Sequence, residues 1–537
     1  MKSKKNWHWR IRKRPCRIDF ARTSEIAEWG RLLGVSAADL DPLEAAYRIG
    51  VLYTALMPQE YKKRFGAHYT PPALCDELLD MATENGVDWS RARVLDPACG
   101  GGAFLTPVAQ RMVAEVESKC ELEVLEDIER RLEGYELDPF ARWLTAVFLD
   151  VVLGDLCIGA GRRHRCRLRL CNSLEKVRVR EGFDLVIGNP PYGRVQLPHR
   201  LRVKFARGLF GHANLYGLFT DQALKLTRKR GLIAYVTPTS LLSGEYFKSL
   251  RGLLADEAPP VSLGFVTERK GVFDDVLQET LLAVYQQRER ESAGSVRLVS
   301  PKKDGTIETS SAGRFTLPED PEDPWMIPRT KKHGVLLRQI RAVPCRLSDI
   351  GYTVSTGPFV WNRHKLNLRN HKSKGSFPVV WAESVRSGGR FEFRSSQRNH
   401  KPFFEPQPEE QWVVTDFNCV LVHRTTAIEQ DRRLIAAELP YAFIEEHGAV
   451  VIENHLNMVK PVVKAPAISP TTLAAILNST VIDQLFRCIN GSVAVSAFEL
   501  KALPLPSVHD MEHIERLVFG GIEKERLEQA LMHAFSV

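Results

Sequence analysis

The tetrapeptide Asn189-Pro190-Pro191-Tyr192 places an amide carbonyl, a backbone carbonyl and an aromatic ring side by side. It follows the apolar run Phe183–Gly188, which has the length and composition of a buried strand. The two prolines end that strand and stiffen the turn. Ligands bind at the carboxyl ends of strands in open α/β sheets. The tetrapeptide is therefore predicted to lie in a binding site.

Adjacent oxygen acceptors suit a substrate that carries an amino group. The exocyclic amine of a purine is a poor nucleophile because its lone pair is delocalised into the ring. The carbonyl oxygens of Asn189 and Pro190 can accept its two N–H bonds, which turns the lone pair toward an electrophile. Tyr192 offers one stacking surface for a base pulled out of its duplex, and Phe247 is a candidate for the other. Each such stack contributes roughly 1–3 kcal/mol.

A glycine-rich turn follows another predicted strand, over residues 93–105. Asp96 ends the strand, and Ala98, Gly100 and Gly102 lie in the turn. Glycines let the backbone pass close to a ligand, and the helix start offers free amides. The turn lacks the Lys-Ser/Thr pair of a phosphate loop, and Asp96 would repel a phosphate. A cationic or hydroxylated ligand therefore fits this turn better than ATP.

Polar side chains end the next two predicted strands. The second strand ends in Glu136 and Asp138, and an acidic residue here is the usual ribose-hydroxyl acceptor in nucleoside-binding sheets. Both residues compete for that role, and a helix N-terminal charge is the alternative for either. A third strand, over residues 167–174, leaves Asn172 at its end.

The segment 66–72, Gly-Ala-His-Tyr-Thr-Pro-Pro, leads into a predicted helix. Pro71 and Pro72 suit the first helical turn, and Thr70 is predicted as the N-cap. Thr70 either belongs to a plain loop or lies beside a cofactor pocket.

Strand-like and helix-like segments alternate between residues 66 and 295, which predicts a doubly wound, Rossmann-like α/β sheet. One helix of this domain is predicted over Ser243–Leu254. Residues 1–65 are predicted as a helical and basic segment. Trp7 and Trp9 lie in its basic start, which is either a solvated tail or a phosphate-contacting arm.

The chain changes character after the predicted sheet. Residues 296–345 are rich in Lys, Asp, Ser, Gly and Pro and are predicted to form a linker. Residues 346–508 are predicted to form a second domain of mixed α/β structure. Residues 509–537 are predicted as a C-terminal helix, over Met511–Phe535.

Composition limits the classes of function. The net charge of +9 makes a polyanionic partner plausible. Ten cysteines without a Cys-x-x-Cys pair predict reduced thiols in a cytosolic protein, and no His/Cys cluster has zinc spacing. We therefore expect no metal site. We also expect no membrane span, because no long uncharged apolar stretch occurs.

A basic stretch over residues 361–401 holds ten Lys/Arg against two acids, with aromatic residues interleaved. This mixture suits contacts to phosphates and to bases, although a solvated loop is the simpler alternative. The candidate nucleic-acid contacts in this stretch are Arg363, Lys365, Arg386, Arg390 and Arg394.

The ordered motifs, at residues 66–71, 96–102 and 189–192, resemble those of the gamma-class N6-adenine DNA methyltransferases, especially those of type II restriction–modification systems. The resemblance runs from about Leu52 to Pro506. It implies S-adenosyl-L-methionine as cofactor, with Thr70 and the Asp96–Gly102 loop facing its methionine part. It also implies that Glu136 holds the ribose hydroxyls.

The same resemblance implies that Asn189, Pro190 and Tyr192 hold the target adenine. Phe247 falls where many members place the second stacking aromatic. Many members also carry Asp after the third strand, for the adenine amine of the cofactor. This chain has Asn172, whose carbonyl can accept that bond, and Asp155 is the competitor.

The second half, with motifs at residues 423–426, 453–455 and 503–506, resembles the target-recognition domains of that family. It adds Arg424 to the candidate DNA contacts and implies double-stranded DNA as partner. We therefore expect methylation of N6 of a flipped adenine, with RNA adenine and protein glutamine as alternative substrates. We also expect a separate cognate restriction endonuclease, and a cytoplasmic, nucleoid-associated place in a prokaryotic cell.

Overall fold

The computed structural model describes residues 40–57, 69–117, 120–175, 181–267, 279–288, 293–302, 305–340, 345–397, 399–426 and 432–535. Residues 1–39 and 58–68 lie outside them, and with them the basic start of the helical and basic segment predicted over 1–65 and the first residues of the 66–72 segment. The chain divides into two compact units. Unit 1 holds the described residues up to Arg194 and Asn214–Val236, and unit 2 holds the described residues of Val195–Ala213, Thr237–Lys270 and Val276–Val537. The predicted domain boundaries stay a prediction.

The elements up to residue 188 are α1 (Pro42–Leu56), α2 (Pro72–Glu84), β1 (Val94–Asp96), α3 (Leu105–Ala114), α4 (Glu121–Arg131), β2 (Leu132–Glu136), α5 (Pro139–Val152), α6 (Gly154–Gly159), β3 (Arg167–Leu170) and β4 (Phe183–Gly188). Those up to residue 339 are β5 (Arg194–Val195), α7 (His199–Lys204), β6 (Ala213–Asn214), α8 (Leu215–Leu226), β7 (Thr227–Pro238), α9 (Ser240–Ser243), α10 (Lys248–Glu257), β8 (Pro260–Val266), β9 (Thr280–Gln286), β10 (Ala293–Pro301), β11 (Ile307–Thr316) and α11 (Lys331–Gln339).

The remaining elements are β12 (Tyr352–Thr356), β13 (Leu368–Arg369), β14 (Phe377–Val380), β15 (Phe403–Phe404), β16 (Val414–Thr415), β17 (Cys419–His423), β18 (Ala436–Leu439), α12 (Tyr441–His447), β19 (Val450–Ile452), β20 (Leu456–Pro461), α13 (Pro470–Leu477), α14 (Thr480–Ile489), α15 (Ala497–Lys501), α16 (Val508–Phe519) and α17 (Lys524–Phe535).

Unit 1 is built on parallel strands that run in the order β7-β4-β1-β2-β3. Val94 of β1 pairs with Leu132 of β2 on one side and with Leu185 of β4 on the other. β1 and β2 are buried along their whole length, as expected for strands of a parallel sheet that is covered on both faces. The strand order reverses between β1 and β4, so the crevice at their carboxyl ends is the expected ligand site. The predicted doubly wound fold class is confirmed.

Unit 2 contains further sheets. β11, β10, β8 and β9 run in that order, with β8 and β10 parallel and both outer pairs antiparallel. β12-β20-β17-β18 form an antiparallel sheet, and β13-β15-β14-β19-β16 form a mixed one. Ile482, Leu485 and Phe486 of α14 cover the β12-β20-β17-β18 sheet. They share a hydrophobic core with strand residues such as Val420 and Val459.

Two segments depart from the sequence predictions. The predicted linker over 296–345 contains the end of β10, all of β11 and helix α11. β10 and β11 pair from Ala293↔Thr316 to Pro301↔Ile307, so their backbone groups are satisfied despite polar, exposed side chains. The predicted C-terminal helix is two helices, α16 and α17, because Gly521 takes the left-handed φ of +75° between them.

The predicted helix over Ser243–Leu254 is also interrupted. α9 ends at Ser243, a short 3₁₀ turn spans Glu245–Phe247, and α10 begins at Lys248. The fully buried guanidinium of Arg251 donates to the carbonyls of Leu241 and Gly244. The Gly244 carbonyl also accepts from the amide of Phe247 at 3.1 Å, within the short turn that separates α9 from α10, and helical periodicity does not reveal this interruption.

Candidate functional site

The carboxyl ends of β1, β2 and β4 meet at one edge of the sheet in unit 1. Asp96 ends β1 and pairs in register with Gly134, two residues before Glu136 at the end of β2. Asn189 follows β4 directly. Topology thus brings together three polar side chains that are far apart in the sequence.

Asn189 is held by a residue from another segment. Its Nδ2 donates to Thr70 Oγ1 at 3.1 Å, and Thr70 is only 2% exposed. Among the residues that the structure describes, no donor reaches Asn189 Oδ1 or the Pro190 carbonyl. Both oxygens keep their capacity to accept hydrogen bonds.

Thr70 is not the N-cap of the following helix, so that prediction is wrong. α2 begins at Pro72, its N-cap is Pro71, and no side chain caps it. Pro72 has no N–H, so one of the usual orphan donors is missing from the first turn. The Thr70 hydroxyl bonds to Asn189 instead.

The ring of Tyr192 is fixed at its far end. Its hydroxyl donates to the carbonyl of Val236 at 3.2 Å, and Tyr216 packs against it edge-on at 5.8 Å between centroids. Burial raises the pKa of Tyr192 well above its ordinary value, so the phenol stays protonated. Tyr192 is therefore suited to offer its ring as a stacking surface rather than to transfer a proton.

Asp96 is buried at the switch point. Its Oδ1 accepts from the amide of Ala98 at 2.9 Å. A Cβ on Gly188 would come within 2.7 Å of the same oxygen, so only glycine fits there. Burial raises the pKa of Asp96 to about 8, and the nearby Glu136 adds to the rise.

Glu136 and Asp138, which competed for one role in the sequence, have different surroundings. Glu136 Oε2 accepts from the amide of Gly100 at 2.8 Å, and its Oε1 accepts from Leu137 and Asp138. Burial raises its pKa although these amides oppose the rise. Asp138 caps α5 through Phe140 and accepts from Tyr53, so its carboxylate has a structural role.

The glycine turn has the backbone geometry that its sequence requires. Gly100 and Gly102 take φ values of +53° and +89°, which side-chain-bearing residues rarely adopt. A Cβ on Gly102 would approach Thr106 Oγ1 at 3.1 Å. The carbonyl of Gly100 accepts from Thr145 Oγ1 at 2.7 Å. The turn is therefore anchored to α5.

Tyr69 is a site residue that sequence reasoning missed. A Cβ on Gly50 would fall 2.0 Å from its ring, and a Cβ on Gly101 would fall 2.6 Å from it, so the ring lies between two glycines. A small cleft is lined by Tyr69, Thr70, Gly101 and Thr106, among others. Within the described residues, the Tyr69 hydroxyl and Thr106 Oγ1 are buried without a hydrogen-bond partner. The position of Tyr69 in the motif at residues 66–71 is a signal for it in the sequence.

Asn172 and Asp155, the competitors after the third strand, lie in different places. Asn172 Oδ1 accepts from the amide of Leu174 at 3.1 Å, and the adjacent Ser173 hydroxyl donates to the carbonyl of Pro97 in the glycine-turn segment. Asp155 is exposed just beyond α5, a helix of 14 residues that starts at the carboxyl edge of the sheet. It therefore lies about 20 Å back toward the amino edge.

Phe247 belongs to unit 2, where it is 8% exposed. Its neighbour Tyr246 is 40% exposed and packs edge-on against His212 at 5.2 Å. The role of Phe247 as a second stacking aromatic stays a prediction.

The candidate DNA contacts of unit 2 differ in their internal pairing. Arg363 and Lys365 are exposed, and Lys365 lies over the ring of Trp361 at 5.0 Å. Arg390 is exposed beside Gly389, in a tight turn closed by the bond from the Arg386 amide to the Arg390 carbonyl.

The others share contacts within the unit. Arg386 and Arg394 both pair with Glu392, at 3.6 and 2.6 Å. Arg424 is exposed, and its guanidinium donates to the carbonyl of Asn454 at 3.0 Å.

Two kinds of feature, a metal-binding group and a membrane-spanning helix, are absent from the described residues. The His, Cys, Asp and Glu side chains there do not gather into a group that could hold a metal ion. None of the helices in those residues combines the length and apolar character needed to cross a bilayer.

The strand order of unit 1 and its glycine turn are those of a doubly wound α/β sheet, and comparisons with known proteins show similarity to methyltransferases. Residues 162–273 match the family described as Eco57I restriction-modification methylase. The type II methyltransferase M.BsuBI of Bacillus subtilis is 24% identical over 494 residues, covering 88% of this chain and 95% of that protein. M.PstI of Providencia stuartii is 27% identical over 358 residues, covering 65% and 70%.

Among solved structures, the type IIL restriction-modification enzyme MmeI in complex with DNA has a TM-score of 0.52. It is 14% identical and covers 90% of this chain and 78% of that one, so it supports the fold alone. The predicted resemblance to restriction–modification methyltransferases is therefore confirmed. The gamma-class assignment stays a prediction.

Proposed function

We propose that this protein is a site-specific DNA adenine methyltransferase, the modification enzyme of a restriction–modification system. It transfers a methyl group from S-adenosyl-L-methionine to N6 of an adenine flipped out of the duplex. The observation that carries this proposal is Asn189, which follows β4 at the switch point of the sheet and whose amide is anchored through Nδ2 to the Thr70 hydroxyl.

The residues around the glycine turn fit the cofactor. Unpartnered buried hydroxyls of Tyr69 and Thr106 line a cleft beside the turn, so the cleft offers polar groups to a ligand. Glu136 would hold the ribose hydroxyls, because its Oε2 accepts only one backbone amide among the described residues and a carboxylate oxygen can accept more than one hydrogen bond. Asp96 would face the cationic part, and Asn172 would accept from the adenine amine.

When bound, S-adenosylmethionine supplies an electrophilic methyl group on a positively charged sulfur. Asn189 Oδ1 and the Pro190 carbonyl accept the two N–H bonds of the target amine and hold its lone pair toward that methyl group. The same two dipoles stabilise the positive charge that grows on the nitrogen. The proton leaves afterwards to water, so the tetrapeptide needs no strong base.

Tyr192 contributes a surface for the flipped base. Its hydroxyl bond to Val236 and its contact with Tyr216 fix the plane of the ring. Stacking is worth roughly 1–3 kcal/mol per base, which offsets part of the cost of removing the adenine from its duplex.

The basic stretch of unit 2 would contact the DNA. Phosphate contacts would come from exposed cations such as Arg363, Lys365 and Arg390, and Arg386, Arg394 and Arg424 are further candidates. A separate endonuclease that cleaves the same unmodified sequence is the partner that this proposal implies.

The proposal is tested by transfer of a tritiated methyl group from S-adenosylmethionine to duplex DNA, to RNA and to a release-factor protein. Label in DNA as N6-methyladenine is the expected result. Label confined to RNA or to protein would contradict the proposal and identify the alternative substrate. Sequencing of modified bases in DNA from an expressing host then gives the recognition sequence.

A further inference from the structure

We propose that Thr70 is a positioning residue for Asn189: its hydroxyl holds the carboxamide by a hydrogen bond, in the place where Oδ1 can meet the target amine. This inference rests on the proposed function. The resemblance assigned Thr70 to the cofactor, whereas its hydroxyl lies 3.1 Å from Asn189 Nδ2.

The need for such a residue follows from the shape of an amide. The C=O and NH₂ ends of a carboxamide are nearly equal in size, so rotation by 180° exchanges them at little steric cost. In the wrong orientation Asn189 would point N–H groups at an amine that also carries N–H groups. A hydroxyl can accept from Nδ2 or donate to Oδ1, so it holds the carboxamide in place, and the two N–H groups of the target amine then favour the orientation that presents Oδ1.

The Thr70 hydroxyl can hold the Asn189 carboxamide because its own position is fixed. Its residue is 2% exposed, and its carbonyl accepts from the thiol of Cys75 at 3.7 Å. The next two residues are prolines, and the preceding Tyr69 ring is confined between Gly50 and Gly101. The hydroxyl is also not used as a helix cap.

The same contacts connect the two halves of the site. Gly101 belongs to the turn predicted to hold the cofactor, it packs on Tyr69, and the adjacent Thr70 bonds Asn189. The dipeptide Tyr69-Thr70 therefore connects the turn predicted to hold the methyl donor with Asn189, which is proposed to hold the methyl acceptor.

The test compares Thr70→Val, which keeps the shape and removes the acceptor, with Thr70→Ser, which keeps the acceptor. The measurements are the single-turnover transfer rate with DNA and S-adenosylmethionine both saturating, the dissociation constant of S-adenosylmethionine by calorimetry, and the melting temperature. We expect the valine variant to transfer about tenfold more slowly. Its cofactor dissociation constant should stay within about twofold of the unsubstituted protein, and the serine variant should regain the rate.

Several results would overturn the inference. They are a valine variant as fast as the unsubstituted protein, a serine variant as slow as valine, or weaker cofactor binding with an unchanged saturating rate. If Thr70→Val does not fold, Thr70→Ala is judged by the same criteria. An unsubstituted protein that binds cofactor but methylates no DNA would count against the proposed function, whereas an active protein with a fully active valine variant would remove only the role of Thr70.

Discussion

At the scale of single residues, the site depends on polar groups whose partners come from distant segments. Asn189 depends on Thr70, Tyr192 on Val236, and Glu136 on the amide of Gly100. The sequence predicts the identity of these residues, because strand ends and proline or glycine turns mark them. It does not predict the partners, since hydrogen bonds across 36, 44 and 119 positions follow from topology.

The role of the Asn189 amide predicts a loss of chemistry without a loss of cofactor binding. Asn189→Ala should slow methyl transfer by about 10²–10³-fold, a loss comparable to removal of one preorganised oxyanion-hole donor. Cofactor affinity, measured by calorimetry, should change little because Asn189 Oδ1 faces the target amine. Unchanged turnover would remove the amine-holding role.

The Tyr192 ring and its hydroxyl can be separated. Tyr192→Phe keeps the ring and removes the bond to Val236, so transfer should fall only a few-fold. Tyr192→Ala removes the stacking surface, and we expect a loss of about tenfold or more in transfer rate or DNA affinity. Fluorescence of 2-aminopurine at the target position reports flipping, and equal losses in both variants would argue against a stacking role.

The buried carboxyl of Asp96 predicts a dependence of stability on pH. Its pKa of about 8 in the folded protein compares with about 3.9 in an unfolded chain. Between these values the folded state holds a proton that the unfolded state has released. Stability therefore falls as pH rises toward 8, by at most about 1.4 kcal/mol per pH unit, and levels off above it.

Asp96→Asn should flatten that dependence, as measured by urea denaturation of the cofactor-free protein from pH 5.5 to 8.5. Asp155→Asn is the matched control, since Asp155 is exposed. Parallel stability curves for the unsubstituted protein and Asp96→Asn would show that Asp96 ionises normally.

At the scale of elements, the sequence predicts the central strands and the helices of unit 1 well. Continuous apolar runs such as Phe183–Gly188 and proline helix starts such as Pro139 are local signals. Elements whose limits depend on distant contacts are predicted poorly. β11 is paired along its length with β10, and the helix predicted over 243–254 is interrupted beside the buried Arg251, which donates to the carbonyls of Leu241 and Gly244.

The packing of α1 on Tyr69 gives a prediction about stability. Gly50→Ala places a Cβ within 2.0 Å of the Tyr69 ring and should destabilise the protein by about 1–3 kcal/mol, although alanine favours helices. Tyr69→Ala in the same chain should remove most of that strain. Gly154→Ala is the matched control, since nothing lies within 4 Å of its added Cβ. Urea denaturation measures all four proteins, and a stabilised Gly50→Ala variant would contradict the packing.

At the scale of the whole molecule, the net charge of +9 and the basic stretch predict salt-dependent binding to DNA. Arg363→Ala and Arg390→Ala should each weaken binding and lower the salt slope by about one. Arg369→Ala is the control within the same stretch, because Arg369 pairs with Glu405 at 3.0 Å. Fluorescence anisotropy at several salt concentrations measures the slope, and identical slopes for all three variants would exclude a phosphate role for Arg363 and Arg390.

The packing of the Tyr69 ring between Gly50 and Gly101 has a consequence for the order in which ligand binding and folding are lost. The helix that carries Gly50 supplies one wall for that ring, although it contributes no strand to the sheet. Cleavage that detached this helix would leave the strands of the sheet paired. It would expose to solvent one side of the Tyr69 ring, which packs against the glycine turn. Limited proteolysis near residue 57 should therefore abolish ligand binding before it unfolds the protein, and bound ligand should slow the cut.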